Sequence, residues 1–258
     1  MKTLSYLSFL LSLILLTNTA SSCMHKNVTV ETPAEILKDN NSFYSYIGEN
    51  LYSLTRKYKS FDASGVAISK LNFLYELTTG KYLFLQTGTD DKPQFKLCLL
   101  SKKMQIKYGD IIGAYVLNMY KDYKWVGKKF PAFNFTDING KKYSSESIKG
   151  KVMVLKCWFV NCGACRLEIP DLNKMVAGYK DQKDMLFISL VMDNASKLKA
   201  FLKDHTFDYV HVAGQGDFMN KKLNVMEFPT HFVVNKQGVI VNVVDNPEEL
   251  EQSLKEDI

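Results

Sequence analysis

The chain has 258 residues, enough for one large domain or two small ones with a core each. Hydrophobic residues at 46% and charged residues at 23% exclude wholesale disorder and fibrous repeats. The net charge of +6 is spread along the chain without the basic stripe of a nucleic-acid binder, so no nucleic-acid partner is expected. Five cysteines are an odd number and too few for a disulfide scaffold of this length, so each needs its own reading.

Lys2 precedes an apolar run over residues 4–16, then a small polar stretch over 17–22 and Cys23. Thirteen residues at about 1.5 Å each do not cross a hydrocarbon core of roughly 30 Å, so residues 1–22 read as a signal peptide. Ala20-Ser21-Ser22-Cys23 resembles the lipobox of bacterial lipoproteins, with Ala where Leu is usual, and implies lipid attachment at Cys23. The plainer reading is cleavage after Ala or Ser with Cys23 incidental. Lys2 is the only charge in residues 1–22, so the mature chain carries +5. The expectation is an exported protein in a bacterial cell envelope, periplasm-facing and anchored to the membrane by its N-terminus. The Asn-x-Ser/Thr triplets at Asn27, Asn40, Asn134 and Asn194 are read as chance.

Residues 23–31 form a tether, and residues 32–123 a small α+β domain of unknown role. Thr32 before Pro33 signals a helix start, 44–59 is ambiguous, and 68–77 has helical spacing ending at Gly80. Residues 82–86 and 95–100 read as strands joined by turn chemistry at Asp90-Asp91-Lys92-Pro93, and 110–120 as a helix. Cys98 is expected to be a core thiol on its strand.

Residues 127–258 alternate between strands and helices and end in a hairpin, which predicts a mixed α/β sheet. Asp137-Ile138-Asn139-Gly140 is a hairpin turn, and 152–159 is a strand apolar enough to be covered on both faces. A helix is expected from Cys162 to about Tyr179, kinked at Pro170. Strands follow at 185–191, 207–212, 230–234 and 239–244, with short helices near 198–202 and 218–223 and a last helix from Pro247.

Cys162-Gly163-Ala164-Cys165 falls where the buried strand hands over to the helix. Cysteines three apart in a first helical turn lie on one face within disulfide reach, and a helix N-terminus favours a thiolate at the first of them. Cys162 is then the nucleophile and Cys165 the resolving thiol. A disulfide closing so short a loop staples little, and zinc needs about four ligands where no second CxxC or His pair exists. Cys157 reads as a packed thiol. No metal and no cofactor beyond a redox-active Cys162–Cys165 disulfide is expected.

Phe130-Pro131-Ala132-Phe133, Asp137 to Gly140, Lys149 to Val152, Trp158 to Cys165, Glu168-Ile169-Pro170, Phe228-Pro229-Thr230 and Asn235 to Gly238 occur in order. On these segments the chain from Gly127 onward resembles the membrane-tethered, thioredoxin-fold thiol-disulfide oxidoreductases of the bacterial TlpA/ResA group. The resemblance implies a cis peptide before Pro229, with Phe228, Pro229 and Thr230 binding an extended substrate strand. It implies that Glu168 exchanges protons with Cys165, against the alternative of a solvated helix carboxylate. It implies that Trp158 supports the site. Asn161 stands where Trp usually precedes the first Cys, and Ala164 where Pro is common. Lys156 stands where thioredoxins carry an acid: its cation stabilises a thiolate, or its stem packs while the amine snorkels out.

The expected function is exchange of the CxxC dithiol with partner-protein disulfides, in the reducing direction, with electrons from a membrane redox protein. Two alternatives remain. One is a peroxidase of the peroxiredoxin kind, although Phe159 stands where those carry Thr. The other is a lipoprotein whose N-terminal region binds a partner without catalysis.

Overall fold

A computed structural model describes residues 31–89, 92–256 and 258. The expected signal peptide, Cys23 and the tether up to residue 30 lie outside the described residues, as do Asp90 and Asp91 of the expected turn.

The N-terminal half begins with a reciprocal cap. Thr32 Oγ1 accepts from the Glu35 backbone N–H, and the Glu35 carboxylate accepts from that of Thr32, which fixes the start of α1 (Pro33–Ile36). Asp39 caps α2 (Asn40–Asn50), and a single 3-10 turn (Tyr52–Leu54) follows, so the ambiguous segment is helical before it becomes β1 (Lys59–Phe61). Then come β2 (Ala67–Ile68), α3 (Lys70–Thr78) capped by Ser69, β3 (Tyr82–Gln86) and β4 (Gln94–Leu99). The four strands form one sheet in the order β2-β1-β4-β3, with β1 parallel to β4 and β3 antiparallel to it. A short α4 (Lys102–Met104) and a π turn (Gln105–Gly109) lead into α5 (Asp110–Tyr123). Phe43, Phe73, Phe84, Phe95 and Tyr108 centre a core of their own. Where α3 ends against the π turn, a Cβ on Gly109 would come within 2.5 Å of the Gly80 carbonyl oxygen, so the crossing needs glycine. Cys98 corrects the expectation of a core thiol. Burial alternates along β4, Phe95 and Leu97 take the covered face, and Cys98 is left half-buried on the other.

The C-terminal half has the thioredoxin fold, a mixed sheet flanked by helices. The hairpin β5 (Asn134–Thr136) and β6 (Lys142–Ser144) closes on Asp137 to Gly140, with Gly140 at φ 87°. Next come β7 (Val152–Trp158), α6 (Gly163–Leu167), α7 (Ile169–Gly178), β8 (Met185–Val191), α8 (Ala195–Asp204) and β9 (Val210–Val212). A π turn (Phe218–Lys222), β10 (Thr230–Val234), β11 (Ile240–Val244) and α9 (Pro247–Glu256) complete the chain. The sheet order is β11-β10-β7-β8-β9. β7, β8 and β9 are parallel, and β10 is antiparallel to both β7 and β11.

All seven residues of β7 are buried because apolar layers cover both faces. Val154 and Trp158 join the layer with Cys165 and Leu172, while Met153, Leu155 and Cys157 join Phe135 and Phe232 on the other side. The expected strand at 207–212 is shorter, and the expected kinked helix is two helices meeting at Glu168.

The two halves meet where α5 lies against β11, and Asn118 of α5 donates to Glu227 Oε1. The lead into the C-terminal half is pinned to β11: Gly127 donates to the Ile240 carbonyl and Ile240 donates to the Lys128 carbonyl, each at 2.8 Å, while Trp125 stands edge-on to Phe232.

Candidate active site

The buried strand β7 ends at Trp158, and the chain turns over Phe159 to Asn161 to reach Cys162. Asp193, beyond the end of β8, pins this turn by accepting from the Val160 backbone N–H at 2.6 Å. Cys162 is the N-cap of α6, and Cys165 sits one turn further on. The two sulfurs form a disulfide with Cα atoms 5.3 Å apart. The Cys162 Sγ also accepts from the Cys165 backbone N–H at 3.2 Å. The helix it caps has only five residues, so this single donated bond, more than a long macrodipole, is the local support for charge on Cys162. Cys162 is 6% exposed and Cys165 fully buried, so only Cys162 can be reached from outside. A Cβ built on Gly163 would meet nothing within 4 Å, and Asn161 and Ala164 are exposed, so the surface around Cys162 is open.

The loop before β10 faces the disulfide. The Phe228–Pro229 peptide is cis, and the Phe228 carbonyl oxygen lies 4.0 Å from the Cys162 Sγ. The Phe228 ring stands edge-on to Phe159, and Thr230 Oγ1 donates to the Glu227 carbonyl, which ties the loop to the start of the strand. The exposed apolar side chains of Leu167 and Met226 belong to the two segments that carry the disulfide and this loop.

Behind Cys165 lies a buried charged group. Lys156 is fully buried, so its amine does not snorkel to solvent. Its Nζ donates to the Cys165 carbonyl at 3.0 Å and to Glu168 Oε1. Glu168 is 7% exposed and is not a solvated helix carboxylate. It sits where α6 stops and α7 begins, and that break turns its side chain inward. A third member, His231, was not singled out from the sequence. It is fully buried, and its Nε2 lies 3.1 Å from Glu168 Oε1. Its signal was a lone imidazole in the otherwise apolar stretch Phe232-Val233-Val234, but its partner depends on the pairing of β10 with β7, which sets His231 opposite Lys156.

Burial holds the His231 imidazole well below its ordinary range, and the Lys156 charge pushes the same way, so the ring is neutral at pH 7. A neutral ring facing a carboxylate donates from Nε2. Burial also pulls the Lys156 ammonium down to about 7, with neighbouring Cys157 pushing the other way. Burial pushes the Cys157 thiol well up, which keeps it a packed, protonated side chain on the far face of β7. Trp158 is fully buried, donates from Nε1 to Ser189 Oγ at 2.6 Å and packs edge-on to Phe201 and Phe207, which steadies the end of β7.

A buried resolving thiol, an outward partner thiol and a carboxylate behind them are the parts that dithiol exchange needs. Known thiol-disulfide oxidoreductases are similar to this chain. Thiol-disulfide oxidoreductase ResA of Bacillus thuringiensis subsp. konkukian is 31% identical over 134 residues, spanning 50% of this chain and 77% of that protein. The chain belongs to the ResA-like thiol-disulfide oxidoreductases. Thioredoxin-like protein YneN of Bacillus subtilis is 26% identical over 156 residues, 56% of this chain and 91% of that one. A model of the AhpC/TSA family matches residues 126–243. Among solved structures, the thioredoxin domain of a thiol-disulfide oxidoreductase from Bacteroides vulgatus aligns with TM-score 0.47 and 24% identity, over 52% of this chain and 97% of that one. As a ResA-like protein the chain is an enzyme, a thiol-disulfide oxidoreductase.

Proposed function

We propose that this enzyme is exported, anchored to the membrane through a lipid on Cys23, and reduces disulfides of partner proteins in the cell envelope. The observation that carries the proposal is the asymmetry of the pair: Cys162, 6% exposed, beside the Phe228 carbonyl, and Cys165, fully buried, beside Lys156 and Glu168. The Cys162 thiolate attacks one sulfur of a partner disulfide. A Cys162–partner disulfide forms, and the partner's other sulfur leaves with the bonding electrons and takes a proton. Cys165 then loses its proton to Glu168 and attacks the Cys162 sulfur, which releases the second partner thiolate and closes Cys162–Cys165. Two electrons pass to the partner, and a membrane redox protein restores the dithiol.

The exposed flank of Cys162, the Phe228 carbonyl, Pro229 and Thr230 form the edge on which an extended partner segment pairs. Trp158 and Lys156 support the two cysteines from behind. The test is trapping in the source cell. A Cys165→Ala chain is expected to hold partners as reducible adducts through Cys162, and a Cys162→Ala chain to hold none. Adducts that persist without Cys162 contradict the assignment. Catalysed peroxide turnover that outpaces disulfide reduction favours the peroxidase reading instead. Anchoring is tested separately: Cys23→Ser is expected to move the protein from the membrane to the soluble fraction.

A further inference from the structure

His231 has no place in the exchange chemistry as written, yet it is an unusual residue to bury. It is fully enclosed on β10, in a stretch where any apolar side chain would fill the space, and its Nδ1 has no hydrogen-bond partner among the described residues. An imidazole in that position loses its hydration and recovers one hydrogen bond, so Leu or Phe would serve the core better. The one bond goes from Nε2 to Glu168 Oε1 at 3.1 Å. Lys156, its cross-strand neighbour on β7, donates to the same oxygen and to the Cys165 carbonyl.

Two donors from two adjacent strands therefore converge on Oε1. The second oxygen, Oε2, takes no hydrogen bond from any described residue. A carboxylate held at one oxygen in this way has a fixed rotamer and a single lone-pair set left to receive a proton. The strand that supplies His231 begins at the loop that faces the disulfide, so the same segment that would hold the partner also sets the carboxylate.

We infer that His231 is a positioning residue for the resolving step: by donating to Oε1 it orients Glu168 so that Oε2 takes the proton from Cys165 as the Cys165 sulfur attacks the mixed disulfide. The inference rests on the reading of Glu168 given above. In the step, the Cys165 S–H bond breaks and an O–H bond forms on Glu168. The Cys165–Cys162 bond forms while the Cys162–partner bond breaks, and the partner sulfur leaves with the electron pair and is protonated by water. The charged and titratable groups around Glu168 are Lys156 from β7, His231 from β10 and Cys165 from α6.

The experiment uses the reduced protein and 5,5′-dithiobis(2-nitrobenzoate) in stopped flow. The first released thionitrobenzoate reports Cys162 attack, and the second reports resolution by Cys165. Rates are followed over roughly pH 5 to 9 for wild type, Glu168→Gln, His231→Leu and His231→Gln. His231→Leu is expected to slow the second phase about tenfold and to move the midpoint of its pH profile upward, because a carboxylate that loses a donor is more readily protonated. The first phase stays unchanged. His231→Gln, which returns an N–H near the Nε2 position, is expected to keep the wild-type second phase and midpoint. If His231→Leu does not fold, His231→Asn, whose donor ends short of Oε1, carries the same expectation. A wild-type second phase and midpoint in the folded Leu or Asn variant, with Glu168→Gln slowed, overturns the role of His231 alone. A wild-type second phase in Glu168→Gln overturns the reading of Glu168 beneath it.

Discussion

At the scale of single residues the site rests on a buried ion pair, and its two charges are not interchangeable with apolar side chains one at a time. Removing one partner of a buried pair leaves the other charge without compensation, which costs about 3–5 kcal/mol. Lys156→Met is therefore expected to lower unfolding stability by about that amount in urea titrations. Its carboxylate partner would then be buried beside a neutral imidazole only, so the variant loses stability as pH rises. Adding Glu168→Leu to Lys156→Met is expected to recover part of the loss and to flatten that pH dependence. A Lys156→Met protein as stable as wild type at all pH values contradicts the pair. The Cys162–Cys165 pair was legible from its spacing where a buried strand meets a helix, and Glu168 from the family resemblance carried by Glu168-Ile169-Pro170. Lys156 was legible as a residue out of place, with its direction open. His231 was not legible, because a strand shows its own alternation and not the strand it will face.

At the scale of elements, the helix after the cysteines shows what spacing can and cannot reveal. The apolar pattern from Cys162 to Tyr179 reads as one helix with a proline inside it. The chain instead ends α6 at Leu167 and restarts α7 at Ile169, with Pro170 in the first turn of the new helix. There the missing proline N–H is one that a helix leaves unpaired in any case. Pro170→Ala is accordingly expected to change stability by less than about 1 kcal/mol, where a proline inside a continuous helix would give a much larger gain on removal. A gain of several kcal/mol in the unfolding midpoint contradicts the two-helix description. The strands β7, β8, β10 and β11 were legible because each runs for five or seven residues with mostly apolar side chains. β1 and β2 were not, because three and two residues are too short to show a period of two, and β1 pairs with β4 more than thirty residues away.

At the scale of the whole molecule, the N-terminal half lies along the β11 edge at the end of the sheet that carries the disulfide. Asn118 of α5 hydrogen-bonds Glu227, and a cleft of about 180 Å³ between the halves is lined by Tyr115, Asp122, Glu227, Pro229, Thr230 and Asp245 among others. Burial, with Asp245 and Glu227 nearby, raises the Asp122 carboxyl from 3.8 to about 7. A carboxyl raised in the folded state costs stability as pH rises. The cost begins above 3.8 and is complete once pH passes about 7. Asp122→Asn is expected to raise Tm by several degrees at roughly pH 8 and to leave it nearly unchanged at roughly pH 4. An equal shift at both values contradicts the assignment. The sequence pattern could not show the contact between α5 and the Glu227 loop, because it joins side chains more than a hundred residues apart.

Cys162, the thiol that solvent reaches, and the fully buried Cys165 together carry disulfide exchange, and the reduction of insulin by dithiothreitol measures this most directly. The wild-type protein is expected to accelerate insulin precipitation strongly, Cys162→Ser to give only the uncatalysed rate, and Cys165→Ser to stall as a mixed disulfide. Catalysis that survives in Cys162→Ser contradicts the assignment of Cys162 as the nucleophile.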